Sequence, residues 1–257
     1  HNHFTNKHSN IPYGTSPLVD LVYCTHNDFT PESLLLSMKQ NYINFRVIIL
    51  DDSTQDAAIQ AVDLFAREHK LTIIRRPDRK GHKAGNLNHY LKTASSDFFV
   101  VLDSDEIIPP DFITKALPYF SDSRIAIVQA HHKATNNQNT FMQWYADGVE
   151  SHWYTYQNIK EDFGFLSFLG HGAMIRMSAY NEVGGFPEMV AEDLCFSIEL
   201  RNRGYFVAFA EDIVCFEQYP ISYLAFKKRH SKWTQGNMEF IRAYTYKIIM
   251  SLSLIHI

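Results

Sequence analysis

The chain has 257 residues, 46% of them hydrophobic and 14% aromatic, enough apolar material to fill one large core. With 24 basic against 28 acidic residues the net charge is -4, and no basic excess argues for nucleic acid as a partner. The 13 histidines show no zinc-site spacing, and three distant cysteines, Cys24, Cys195 and Cys215, suit a reduced, cytosolic compartment better than a disulfide scaffold.

Residues 1–16 are polar and read as a linker. Apolar strands then alternate with amphipathic helices. Strands are predicted over 18–24, 45–52, 71–76, 97–103 and 125–129. Helices are predicted between them over 31–41, opened by Pro31, then 55–69, 85–94 and 111–120. Strands that read as apolar throughout, separated by helices, predict an α/β fold with a mostly parallel central sheet and helices on both faces. Such sheets bind ligands beyond the carboxyl ends of their strands. The second half is less regular. It offers a long aromatic helix over 140–158, a short strand and helix within 163–187, and a helix over 192–205. Two short strands within 206–220 and a basic, aromatic helix over 221–249 follow. No linker separates the halves, so 17–249 reads as a single domain. The sequence is read as having no signal peptide, and no apolar run in it is long enough to span a bilayer. Both ends read as cut, and the final 252–257, "LSLIHI", reads as a non-native tail.

The polar residues gather at strand ends. Thr25 and Asp28 follow the first strand, Asp51 and Asp52 end the second, and Asp103, Asp105 and Glu106 follow the fourth. Two carboxylates one residue apart suit a hard divalent cation, Mg2+ or Mn2+, shared with phosphate oxygens, although such a pair also occurs in surface turns. Lys83, in "RKGHKAGNLN", precedes a helix and could meet a phosphate, or it belongs to a plain basic turn. Glu192 and Asp193 open a helix, where acids also suit the macrodipole. Together, a metal-binding pair, a phosphate-seeking lysine and a further acid describe nucleotide-diphosphate chemistry. The cation and Lys83 would neutralise the leaving pyrophosphate, and the remaining acid would deprotonate an incoming hydroxyl.

The order of "YCTHND", "ILDDST", "GHKAGNLN", "VVLDSDEIIPPDF", "LGHGAMIR", "GGFPEMVAEDLCFSIELRNRGY" and "KKRHSKWTQG" resembles family 2 glycosyltransferases, especially their cellulose-synthase-like membrane branch. The resemblance spans residues 17–236. It implies a nucleotide-sugar-binding fold of glycosyltransferase type A and inverting transfer from a nucleoside diphosphate sugar, a UDP-sugar, with Mg2+ or Mn2+. It further implies that Thr25 and Asp28 border the base, Asp52 contacts uracil and Lys83 touches the pyrophosphate. Asp103 faces the ribose and donor phosphates and Asp105 holds the metal, with Asp103 beside it. Asp193 is the general base. His171, Glu192, Arg229, Lys232 and Trp233 fall on the acceptor side, where a saccharide or lipid-linked acceptor would bind. One motif departs. Processive members carry Gln-x-x-Arg-Trp, whereas this chain has Arg229, Lys232 and Trp233 at those positions. Lysine lacks arginine's bidentate fork, which puts processive synthesis in doubt but not sugar transfer. The resemblance also implies flanking transmembrane helices and a place on the cytoplasmic face of the cell membrane, and "ISYLAFKKRHSKW" mixes apolar, aromatic and basic residues as an interfacial helix does. Two competing readings are a sugar nucleotidyltransferase, disfavoured by the glycine-free loop "THNDFTP", and a non-catalytic nucleotide-sugar-binding module.

Overall fold

The computed structural model describes residues 16–135 and 139–250, so nearly all of the expected linker, and the expected tail, lie outside the described residues. Seven strands form one sheet: β1 (Val19–Thr25), β2 (Phe45–Asp51), β3 (Thr72–Ile74), β4 (Phe98–Leu102), β5 (Ile125–Ala134), β6 (Ala173–Arg176) and β7 (Phe206–Glu217). Their spatial order is β3-β2-β1-β4-β6-β5-β7. Strand β6 runs antiparallel to both neighbours, and the other ladders are parallel.

The sequence "FFVVL" of β4 shows why the sheet is covered twice. Phe98, Val100 and Leu102 enter one core while Phe99 and Val101 enter the other, as the two-residue period of a strand requires. The first core is closed by α1 (Pro31–Ser37), α2 (Asp56–His69) and α4 (Phe112–Ala116) through Leu34, Val62, Phe65 and Phe112. The second is closed by α3 (His82–Leu91), α7 (Met177–Val183) and α8 (Glu192–Asn202) through Leu87, Tyr180 and Phe196. A charge interrupts one strand that reads as apolar throughout: Asp20 of β1 is fully buried, and the Arg46 guanidinium (2.8 and 3.0 Å) and the Tyr90 hydroxyl (2.7 Å) satisfy it.

Three boundaries differ from the sequence expectation. Helix α3 begins at His82, not 85, because Gly81 adopts φ +72 and turns the chain into the helix early. The helix expected over 140–158 is α5 (Thr140–Ser151), capped by Asn139 accepting from the Met142 N–H (2.9 Å), and it continues through a π-helical segment, His152–Gln157, into α6 (Asn158–Phe163). The two short strands expected within 206–220 are one long strand, β7. The charged stretch Glu211–Asp212 resembles a turn in sequence, but it is an irregularity after which the ladder resumes, with His131 opposite Val214. The last helix, α9 (Tyr223–Met250), docks Phe240 and Tyr244 on Cys195 and Ile198 of α8. Among the described residues no helix is long and apolar enough to cross a membrane.

Candidate active site at the strand ends

The parallel register brings the polar loops together. Thr25 lies opposite Asp51, and Tyr23 opposite Leu102, so the chain leaves β1, β2 and β4 at one edge. Asp28 Oδ1 accepts from the Thr25 hydroxyl (2.9 Å) and the His26 N–H (2.7 Å). Asn27, in the left-handed region at φ 61, accepts from the N–H groups of Thr54 and Gln55 (2.8 and 2.9 Å), which ties the β1 loop to the start of α2. Asp52 sits beside this loop and is held bidentately by Arg76 (2.9 and 2.6 Å), both side chains being almost wholly buried. Arg76 reaches on to the carbonyls of Lys80 and His82, fixing the turn that precedes Lys83. Gly85 makes this possible, since a Cβ there would stand 2.0 Å from the Lys80 oxygen and 2.5 Å from Arg76 Nη1.

Lys83 lies in the first turn of α3. Its ammonium donates to Asp103 and to the Gly170 carbonyl (3.0 Å). Burial works against its charge, but Asp103, Cys24 and Glu192 outweigh burial and raise its pKa. Burial likewise opposes the Asp103 carboxylate, and Lys83 and His171 reverse this, leaving its pKa lowered. Gly170 is the shared wall between Lys83 and Asp193, because a Cβ on Gly170 would lie 3.6 Å from Asp193 Oδ2. Asp193 Oδ1 accepts from the Leu194 N–H (2.8 Å). Burial raises the Asp193 pKa, and it raises its neighbour Glu192 to about 7. A buried carboxylate with a raised pKa is a stronger base than a solvated one. The approach of α9 depends on Gly236, whose missing side chain lets the helix pass Val190 and Ala191 just ahead of this pair.

The three acids after β4 diverge. Asp103 meets Lys83. Asp105 Oδ2 accepts from the Gln218 N–H (2.9 Å) at the end of β7, and burial, then Asp103 and Glu217, raise its pKa. Glu106 turns inward, fully buried, with Oε2 on His171 Nδ1. Burial disfavours charge on His171, but Glu106, Asp103 and Glu217 lift its pKa to about 10. Glu217 in turn is hydrogen-bonded by Arg229 of α9 (3.1 Å). Arg229 also lies over the Trp233 ring, 4.8 Å from its centroid, and Trp233 is 46% exposed. Lys232 is exposed on the same helix.

The structure therefore gathers Lys83, Asp103 and Asp193 directly around Gly170, with Glu192 beside them. Thr25, Asp28 and Asp52 form a flank next to them. His171, Asp105, Arg229 and Trp233 lie on the side built by β7 and α9, and Lys232 is exposed on α9. Sequence reasoning missed Arg76, His132, Gly170 and Glu217. Only the glycine spacing of "FLGHGAM" signalled that backbone and side chains come close there. Asp103 and Asp105, held by Lys83 and by the Gln218 N–H respectively, are the acids whose chemistry suits a divalent cation that phosphate oxygens would complete. Neither cluster of three potential metal donors among the described residues includes them.

Comparison with known proteins adds to this geometry. The family described as glycosyl transferase family group 2 matches residues 98–257. Glucomannan 4-beta-mannosyltransferase 7 of Arabidopsis thaliana is 26% identical over 248 residues, covering 91% of this chain and 45% of the plant protein. Glucomannan 4-beta-mannosyltransferase 1 of Oryza sativa subsp. japonica is 26% identical over 215 residues, covering 79% and 41%. The chain thus spans less than half the length of these relatives. Among solved structures, the mannosyltransferase PcManGT from Pyrobaculum calidifontis, in complex with GDP-Man and Mn2+, superposes with a TM-score of 0.67 at 23% identity, covering 89% of this chain and 65% of that one. S. aureus TarS 1-349 in complex with UDP-GlcNAc gives 0.59 at 17% identity, covering 81% and 60%. At these identities the two structures speak to the fold, a glycosyltransferase type A sheet.

Proposed function

Because this chain belongs to glycosyl transferase family group 2, we propose that it moves a sugar from a nucleoside diphosphate donor, a UDP-sugar in the first instance, to a saccharide or lipid-linked acceptor with inversion. The observation that carries this reading is the contact of Lys83 with both Asp103 and the Gly170 carbonyl, with Asp193 Oδ2 3.6 Å from where a Cβ on Gly170 would stand. One cationic group and one basic carboxylate stand on either side of a glycine, where no side chain blocks a ligand.

In this mechanism the flank of Thr25, Asp28 and Asp52 receives the nucleotide base, with Asp52 held rigid by Arg76. Lys83 faces the diphosphate. Donor phosphate would draw its ammonium from Asp103, freeing that carboxylate for the ribose and metal side. Asp103 and Asp105 would hold Mg2+ or Mn2+, which supplies charge neutralisation to the leaving diphosphate when bound. Asp193 takes the proton from the acceptor hydroxyl as that oxygen attacks the anomeric carbon. Inversion needs only this one base opposite the leaving group. Trp233 offers its exposed face to an acceptor ring, and Arg229 orients it. His171 and Glu192 border the acceptor.

Solved relatives bear GDP-mannose with Mn2+ or UDP-GlcNAc, and the plant relatives are named as glucomannan mannosyltransferases. The deciding assay is release of UDP or GDP from a panel that includes GDP-mannose and UDP-hexoses, with Mn2+, for wild type and Asp193→Asn. Turnover in wild type and its loss in the variant is the expected result. Donor binding without turnover in wild type would instead support a non-catalytic module. Asp105→Ala should abolish metal-dependent nucleotide binding, and unchanged calorimetric affinity with Mn2+ would refute the metal assignment. We further propose that α9, which exposes Leu224, Met238, Ile241 and Tyr246 along with Lys227 and Lys228, lies at the cytoplasmic face of the cell membrane beside flanking helices.

A further inference from the structure

Behind the acids of the proposed donor site lies a second group of potential ligands, fully enclosed. Glu106, His132 and Cys215 each offer one donor atom, and the three atoms lie within 4.8 Å of one another. Glu106 and Cys215 are 0% exposed and His132 is 1% exposed.

The hydrogen bonding around His132 fixes which nitrogen faces the group. Nδ1 lies 3.4 Å from Glu217 Oε1. Nε2 lies 3.3 Å from the Gln129 amide nitrogen and 3.7 Å from Glu106 Oε1. The Gln129 amide is oriented by its own oxygen, which accepts from the Leu169 N–H (3.0 Å), so its nitrogen can only donate. The ring proton therefore belongs on Nδ1, toward Glu217, and the Nε2 lone pair faces the Gln129 amide; that amide also has the His171 carbonyl to donate to (3.1 Å), so a cation taking Nε2 leaves it partnered. A carboxylate behind the distal nitrogen is the arrangement that orients a metal-bound imidazole.

Glu106 supplies the second observation. Its Oε2 is taken by His171, while Oε1 is buried without an N–H or O–H donor and the Cys215 thiol is the hydrogen-bonding group left beside Glu106. That oxygen lies 3.7 Å from His132 Nε2 and in one cluster with the Cys215 sulfur, so a cation among the three would meet a carboxylate oxygen, an imidazole nitrogen and a sulfur together. Zinc bonds of about 2.0–2.2 Å to oxygen and nitrogen in a tetrahedron set those atoms about 3.3–3.6 Å apart, close to the 3.7 Å seen here. Gly172 keeps the gap open. A Cβ there would stand 2.2 Å from His132 Nε2 and 2.5 Å from Glu106 Oε1. Trp153 stacks on His132, centroid to centroid 5.0 Å, and covers the ring.

We propose that Glu106, His132 and Cys215 form a buried zinc site, separate from the Asp103 and Asp105 pair, that staples the loop after β4 to β5 and β7. Sulfur and nitrogen donors select a borderline ion over Mg2+ or Mn2+. Burial, then Glu106 and Glu217, hold the Cys215 thiol protonated without metal. Binding replaces that proton with the Cys215 sulfur–zinc bond and releases the proton to solvent.

The test uses the full chain, stripped with a chelator and reloaded with Co2+ or Zn2+. Wild type should show a thiolate-to-cobalt charge-transfer band in the near ultraviolet. Cys24→Ser and Cys195→Ser should keep the band and Cys215→Ser should lose it. Zinc retained after dialysis should be equimolar with wild type and with Asp105→Ala, and should fall at least tenfold in Cys215→Ser and His132→Gln. A folded wild type without the cobalt band would overturn the proposal, whatever the variants do. So would equal zinc retention in wild type and Cys215→Ser, or loss of zinc in Asp105→Ala.

Discussion

The two sides of the site are built in opposite ways. The side formed by β1, β2 and β4 draws Thr25, Asp52 and Asp103 from the ends of three parallel strands that neighbour one another, each residue carried there by the ladder register. The side formed by β5, β7 and α9 draws His132, Glu217 and Arg229 from an irregular ladder and a helix that docks late in the chain. On the first side Asp103 stays partly open and the buried Asp52 is met by one bidentate partner, Arg76. On the second, Glu106, His132 and Glu217 are all buried and need a network of partners. A repeating backbone pattern can deliver functional groups to a surface cheaply, whereas an interior polar cluster has to be satisfied group by group.

In the proposed mechanism Asp193 is the residue on which transfer depends. Asp193→Asn should lower sugar transfer by about 10²–10⁴-fold, the range for removing a positioned general base, while leaving the circular dichroism spectrum unchanged. Transfer surviving within a few-fold would move the base to another group, Glu192 first. Next in size is the flank. Arg76→Met leaves the Asp52 carboxylate buried without its partner and should destabilise the fold by about 3–5 kcal/mol in urea titrations. A loss below about 1 kcal/mol would mean that this side is solvated and no more demanding than a surface turn.

Glu192 distinguishes the sides by pH. Its pKa in the folded chain is about 7 against an ordinary 4.5, because burial disfavours its charge. The folded state therefore binds this proton more tightly than the unfolded state. The stabilisation it brings is complete below pH 4.5 and is lost as pH rises from 4.5 to 7. Glu192→Gln should flatten the stability profile across that window, and an unchanged slope would show that Glu192 is solvated. Trp233→Ala, at a half-exposed ring, should harm acceptor use more than donor hydrolysis, with a stability change under about 1 kcal/mol. Equal loss of both activities would make the ring a structural element. The smallest change should come from Gly148 in α5, where a Cβ meets nothing within 4 Å, so Gly148→Ala should stabilise the helix by about 0.5–1 kcal/mol. A destabilising result would indicate an unseen neighbour on that face.

By itself the sequence determined the alternation of strands and helices, the mostly parallel sheet and the acids at its carboxyl edge. These follow from local periodicity and from where an apolar run meets a charge, and both are written in consecutive residues. The tertiary structure alone decided that Glu106 points inward while Asp103 and Asp105 do not, and that Arg76 locks Asp52. It also decided that Gly85 and Gly172 are spaces left for other side chains, and that β7 is one strand. Each of those outcomes rests on contacts between residues far apart in the chain. Whether a carboxylate is solvated, paired or buried depends on which distant groups arrive beside it, and no local pattern records their arrival.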